Sequence, residues 1–270
     1  MASQNELHLR VFAMRRSGHH GVMCWIVRHF RDAPYLLDNT LFNQRACGSL
    51  VAIMKQSPED MEDFYRGHIV PVNSKGWWTA HRSTLITGYE DVDIGDLDYQ
   101  KNESFLGEAD KEADVLVVRD FFNWLASRAM KLCWPAVTCT PEKFVLYEEM
   151  MREALEETNH LRNRVVVNFN KWFSEGDYRR ELEKKLELPE TEDGLQVVMG
   201  LGSSFDGHSF DGNAQEMKVL NRWEMIGERE KEWYNVILAQ NRTSIELSER
   251  FFGRLDGTEE LPGYKKAMEG

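Results

Sequence analysis

The sequence predicts an α/β fold in one domain spanning residues 1–270, with a central, mostly parallel sheet wrapped by helices. Three observations predict it. Short valine- and leucine-rich runs alternate with longer charged runs of helical spacing, the order that strand–helix–strand units produce. The first apolar run passes directly into a Ser-Gly turn and then a helix. With 42% hydrophobic residues the chain can bury a core of this size, which argues against disorder as its main state.

Taken in order, "LHLRVFAM" (Leu7–Met14) alternates as a first strand, and Val22, Ile26, Val27 and Phe30 recur at helical spacing from His20 to Phe30. "SPEDMEDFYRGH" reads as a helix with Ser57 as cap and Pro58 at its first position. "STLITGYEDVD" (Ser83–Asp93) holds a short strand ending in acidic residues, and "ADVLVVRD" (Ala113–Asp120) is a compact apolar strand. A helix follows at "FFNWLASRAMKLCW". Residues 141–161 predict a long charged amphipathic helix, and "RVVVNFNKWF" (Arg164–Phe173) another strand. The helix "DYRRELEKKLEL", the glycine-rich "GLGSSFDGHSFDG" (Gly200–Gly212), and helices near 214–226 and 229–252 complete the chain.

The formal net charge of −12 argues against DNA or a long polyanion as partner, because such partners need a basic surface. One local basic pocket is compatible with it. Cys24, Cys47, Cys133 and Cys139 show no CxxC spacing, so they read as buried thiols rather than a disulfide framework or zinc site. No run reaches about 18 apolar residues, and "MASQNELHLR" has no signal-peptide core. The expectation is a cytoplasmic protein without a membrane anchor.

The stretch "FAMRRSGHHGVMCWIV" (Phe12–Val27) carries the functional argument. A strand that turns tightly into a helix presents backbone N–H groups and the positive helix end, a general anion site. Arg15 and Arg16 add fixed charge, and arginine grips phosphate oxygens through two parallel hydrogen bonds. The stretch lacks the GxxxxGK[ST] pattern, its lysine and its metal-binding hydroxyl, so it is no nucleoside-triphosphatase loop.

The stretch resembles the opening loop of the sulfotransferase family, whose donor is 3′-phosphoadenosine 5′-phosphosulfate (PAPS). That family uses a Lys/Arg-Ser-Gly-Thr-Thr loop to hold the 5′-phosphosulfate. The matching residues here are Arg16, Ser17, Gly18, His19 and His20, followed by Gly21, with two histidines in place of the threonines. A later strand-end arginine and a serine eight residues on bind the 3′-phosphate in that family, and "VVRDFFNWLASR" supplies Arg119 and Ser127 at that spacing. Phe169 or Trp172 of "VVVNFNKWF" occupies the adenine-stacking place. The glycine-rich run lies where the family has a flexible Arg-Lys-Gly loop. Gly202, Ser203 and Ser204 stand there without basic residues, offering N–H groups and hydroxyls instead. The resemblance spans about residues 8–253 and implies a P-loop-like sulfotransferase architecture.

It further implies in-line transfer of a sulfuryl group from PAPS to an acceptor hydroxyl or amine, with PAP as product and no metal required. Arg16 then stabilises the leaving phosphate, and Glu90 takes the acceptor proton, with His20 and His81 as alternative bases. Asp91 is expected to face away from Glu90, since strand neighbours alternate. Net acidity favours a small neutral or cationic acceptor over a sulfated polymer. Trp77, Trp78 and Trp223 are candidates for lining its pocket. Two alternatives stand beside this reading: a non-catalytic adenine-nucleotide-binding protein of this fold, and a P-loop kinase, which the missing lysine and metal ligands disfavour.

Overall fold

A computed structural model describes residues 5–30, 35–38, 50–53, 82–131, 139–190 and 217–269. The central strand is β1 (Asn5–Ala13), which passes through a tight turn into helix α1 (His19–Arg28). The short strands β2 (Tyr35–Asp38) and β3 (Leu50–Ile53) precede β4 (Arg82–Glu90). Helix α2 (Tyr99–Leu106) leads to β5 (Ala109–Val118), and helix α3 (Phe121–Lys131) follows at once. Helix α4 (Pro141–Ala154), strand β6 (Val165–Asn168), and helices α5 (Phe169–Ser174) and α6 (Gly176–Lys185) come next. The last described segment holds α7 (Glu228–Gln240), α8 (Arg242–Phe252) and α9 (Pro262–Glu269).

The sheet order is β3-β2-β4-β1-β5-β6. Five neighbouring strands from β2 to β6 run parallel, and β3 is antiparallel at the edge. The α/β class and the mostly parallel sheet therefore match the sequence expectation. Strand β1 pairs with β4 on one side and β5 on the other, bringing Glu90, Ala13 and Val117 abreast at the carboxyl ends.

Strand alternation sends the sheet's side chains into two separate cores. Leu9, Val11, Ala13, Val115 and Val117 pack with α1, α5 and α6 on one face. Phe12, Leu116 and Val118 pack on the other with α3, α4 and the carboxyl-terminal helices. The chain thus leaves β1 toward one face and β5 toward the other. Such a divergence makes a topological switch point at the carboxyl ends of the two strands, the place where open α/β sheets bind ligands.

Several boundaries differ from the sequence expectation, each for a visible reason. The helix expected over 141–161 ends at Ala154. Buried Glu153 accepts hydrogen bonds from Thr158 Oγ1, His160 N and Leu161 N and pairs with Arg164, so the chain folds back around its carboxylate. The strand expected to reach Phe173 stops at Asn168, whose side chain caps α5 by accepting from Lys171 N. The helix expected near 214–226 is only a 3-10 turn at Arg222–Met225 within the described residues, 229–252 is broken at Asn241, and α9 was not anticipated. The helix expected at 57–68 lies outside the described residues, as do Cys47 and Cys133; Cys24 and Cys139 are buried.

One charge cluster sits inside the sheet. Arg10 is fully buried and donates to Asp114 (2.5 Å) and Glu112 (2.7 Å), while Asp114 also accepts from Tyr99 Oη and Arg162 N. Burial opposes the Arg10 charge, but the two carboxylates outweigh it and hold its pKa above the ordinary value. Removing one member of such a pair strands the other. Asp114→Asn is expected to lower the urea-unfolding free energy by about 3 kcal/mol or more, and Tyr99→Phe by about 1–2 kcal/mol. Equal stability of both variants and the native chain would show that the cluster contributes nothing.

Candidate functional site

The residues linking β1 to α1 lie at the carboxyl ends of the strands, where the chain directions diverge. Ser17 N donates to the Met14 carbonyl (3.0 Å), closing a tight turn, and Gly18 precedes the helix with φ +88°. Glycine is required there twice over. The left-handed conformation disfavours any side chain, and a Cβ would lie 2.1 Å from Phe169 Cε2. No acidic residue stands in the first turn of α1, so its N-terminal charge is not met from its own sequence.

Two elements clamp this loop. At the end of β4, Glu90 Oε2 accepts from Arg15 Nε (3.0 Å), and Asp91 Oδ1, one residue past the strand, accepts the Arg15 backbone N–H (2.8 Å). From α3, Trp124 Nε1 and Arg128 Nη1 both donate to the Arg15 carbonyl at 3.1 Å. Asp91 also pairs with Arg128 (3.3 Å) and Lys143 (3.2 Å). Burial alone would raise the Asp91 pKa, but Arg128, the Arg15 N–H and Lys143 together hold it below the ordinary value. The expectation that Asp91 faces away from Glu90 is corrected here. Asp91 lies past the strand end with φ +53°, so alternation no longer applies and both carboxylates converge on Arg15.

The residues expected to meet at the 3′-phosphate do meet. Arg119, at the end of β5, is buried and donates to Ser127 Oγ (3.3 Å) and to the Arg16 carbonyl (3.2 Å). It also donates to the Val219 carbonyl and lies over the Phe169 ring, 5.2 Å from its centroid. A second buried guanidinium, Arg222, donates to the same Ser127 Oγ, with its backbone N–H held by Asn123 Oδ1 (2.7 Å). Arg16 lies close enough to these groups to feel them. Burial, then repulsion from Arg222, Arg128 and Arg15, brings its pKa down to about 10, with Glu90 the main opposing influence. His19 is buried with Nε2 3.3 Å from Glu90 Oε1, and His20 is half-buried beside it.

Arg15, Arg16, Ser17, Gly18, His19, His20, Gly21, Glu90, Arg119 and Ser127 thus gather at one end of the sheet. Phe169 and Trp172 are nearby but buried: Phe169 fills the space above Gly18 beneath Arg119, and Trp172 packs edge-on to Trp25. Trp223 lies against Gly257 in the helical layer. Gly202, Ser203, Ser204, Trp77, Trp78 and His81 lie outside the described residues. Arg128 and Arg222 escaped sequence reasoning. Arg128 directly follows Ser127, a hint in hindsight, whereas Arg222 sits in no pattern that marks it.

No family model matches the chain, and no curated protein matches it. Among the described residues, no helix is long and apolar enough to cross a membrane.

Two substitutions test the loop itself. Gly18→Ala is expected to cost at least about 2 kcal/mol in urea unfolding, from left-handed strain plus overpacking. Adding Phe169→Leu should recover the overpacking part and leave the strain; no recovery would contradict the packing account. Asp91→Asn is expected to cost about 1–2 kcal/mol at neutral pH. A lowered folded-state pKa gives stability that is complete above about pH 4 and lost as pH falls through that lower value. The difference between native and variant should therefore narrow in acid, and a pH-independent difference would contradict the ion-pair account.

Proposed function

We propose that the protein is a sulfotransferase that moves a sulfuryl group from PAPS to a hydroxyl or amine of a small neutral or cationic acceptor. One observation supports this reading above all. Arg16, Arg119, Arg222, Arg128 and Arg15 gather at the carboxyl end of the sheet, where burial first and then repulsion from Arg222, Arg128 and Arg15 make Arg16 easier to deprotonate than an ordinary arginine. Like charges held together in this way are relieved by an anion, and a ligand with two phosphate groups can meet both the arginines of the turn and the Arg119–Arg222 pair.

On this reading the 5′-phosphosulfate lies over the turn at Arg16–His20, against the first N–H groups of α1. The 3′-phosphate lies by Arg119, Ser127 and Arg222, with Arg222 supplying the charge that the glycine-rich run lacks. The acceptor oxygen uses a lone pair to form the new S–O bond. The bond from sulfur to the bridging oxygen breaks, and its electrons leave with PAP, where Arg16 stabilises the developing charge. The acceptor proton passes to Glu90, held at the end of β4 by Arg15 and His19. The chemistry needs no dication, because arginines supply the positive charge.

Two variants separate binding from chemistry. Arg119→Ala should weaken PAP by about 1.5–3 kcal/mol and 5′-AMP far less, since only PAP carries the extra dianion. Calorimetry on both ligands checks this, and equal weakening would remove Arg119 from the 3′-phosphate. Glu90→Gln should keep PAP affinity while transfer of labelled sulfate falls by roughly 10²–10⁴. Retained turnover in that variant would remove Glu90 as the base. PAP binding without any transfer across acceptor classes would favour the non-catalytic reading instead.

A further inference from the structure

We infer that the carboxyl end of the sheet is also a binding site for a transition-metal dication of the zinc class, built from His19, His20 and Glu90. One ligand atom from each of these residues lies within 4.8 Å of the other two. Two imidazoles and a carboxylate form a donor set that suits zinc, cobalt or nickel better than magnesium or calcium, which prefer oxygen alone. Two donors on a tetrahedral zinc ion stand roughly 3.3 Å apart, from bond lengths of about 2.0–2.1 Å. His19 Nε2 and Glu90 Oε1 are already 3.3 Å apart. The ring of His20 stands beside that of His19, 4.0 Å between centroids, and half-buried His20 can close the set by turning its side chain.

Each donor is held in place by the fold. His19 and His20 are the first two residues of α1, fixed by the Gly18 turn, and Glu90 is fixed by the pairing of β4 with β1. The ion must displace Arg15 from Glu90. Arg15 is half exposed, so its guanidinium can swing into water, while the largely buried Glu90 carboxylate exchanges one positive partner for another. The neighbouring cations oppose a dication, so Arg15 is a competitor rather than a ligand. The inference stands on donor geometry and does not depend on the sulfuryl-transfer reading.

The test uses the full chain, stripped with chelator and titrated with Co²⁺ and Zn²⁺ against a chromophoric competitor. One equivalent of Zn²⁺ should bind and raise the melting temperature, while Mg²⁺ in excess should not displace it. The bound Co²⁺ should show the visible bands of a low-coordinate site. His20→Gln and Glu90→Gln, checked for native circular dichroism, should each lower Zn²⁺ affinity at least about tenfold. Arg15→Ala should hold or tighten binding. Absence of saturable Zn²⁺ binding, native affinity retained in both ligand variants, displacement by Mg²⁺, or a loss in Arg15→Ala matching that in Glu90→Gln would each overturn the proposal.

Discussion

Arg119 is the side chain through which the carboxyl end of the sheet is held together. Its guanidinium reaches the β1–α1 turn through the Arg16 carbonyl, α3 through Ser127, and the segment before Arg222 through the Val219 carbonyl. It also covers Phe169, which in turn fills the space that forces residue 18 to be glycine. A planar group with five fixed donors can serve so many directions at once, and lysine could not. Tyr147 completes the arrangement by donating to the Arg119 carbonyl from the helical layer below.

Two arginines at opposite ends of one short stretch show how differently the fold uses this side chain. Arg10 lies in mid-sheet between Asp114 and Glu112, and its charge is matched within the protein. Arg16, six positions on, is half-buried among other cations, with Glu90 as the main carboxylate influence upon it. The first arrangement joins β1 to β5. The second gathers positive charge at the carboxyl end of the sheet in a chain whose net charge is −12.

The class of fold was legible because valine-rich strands and charged helices alternate, and because parallel strands buried on both faces read as continuous apolar runs. The basic turn was legible because a strand passes straight into a helix there, and the Arg119–Ser127 pair only through the family resemblance, since an arginine after a strand and a serine within the next helix mark nothing alone. The end of α4 was not legible, since a buried Glu153 that gathers a returning chain looks in sequence like one more charged helix residue. Asp91 misled for a related reason. Alternation holds only inside a strand, and one left-handed residue turned its carboxylate onto the loop. Arg222 arrives from almost a hundred residues away from Ser127, a proximity no local pattern encodes.

The central claim is that this end of the sheet binds a nucleotide through two separate phosphate groups and without a metal. The most direct measurement is calorimetric titration of the full chain with PAP in the presence of EDTA, alongside 5′-AMP and ATP with Mg²⁺. The account predicts saturable 1:1 binding of PAP, clearly tighter than 5′-AMP and weakened by added salt. Absence of PAP binding, together with ATP binding only when Mg²⁺ is present, would contradict it.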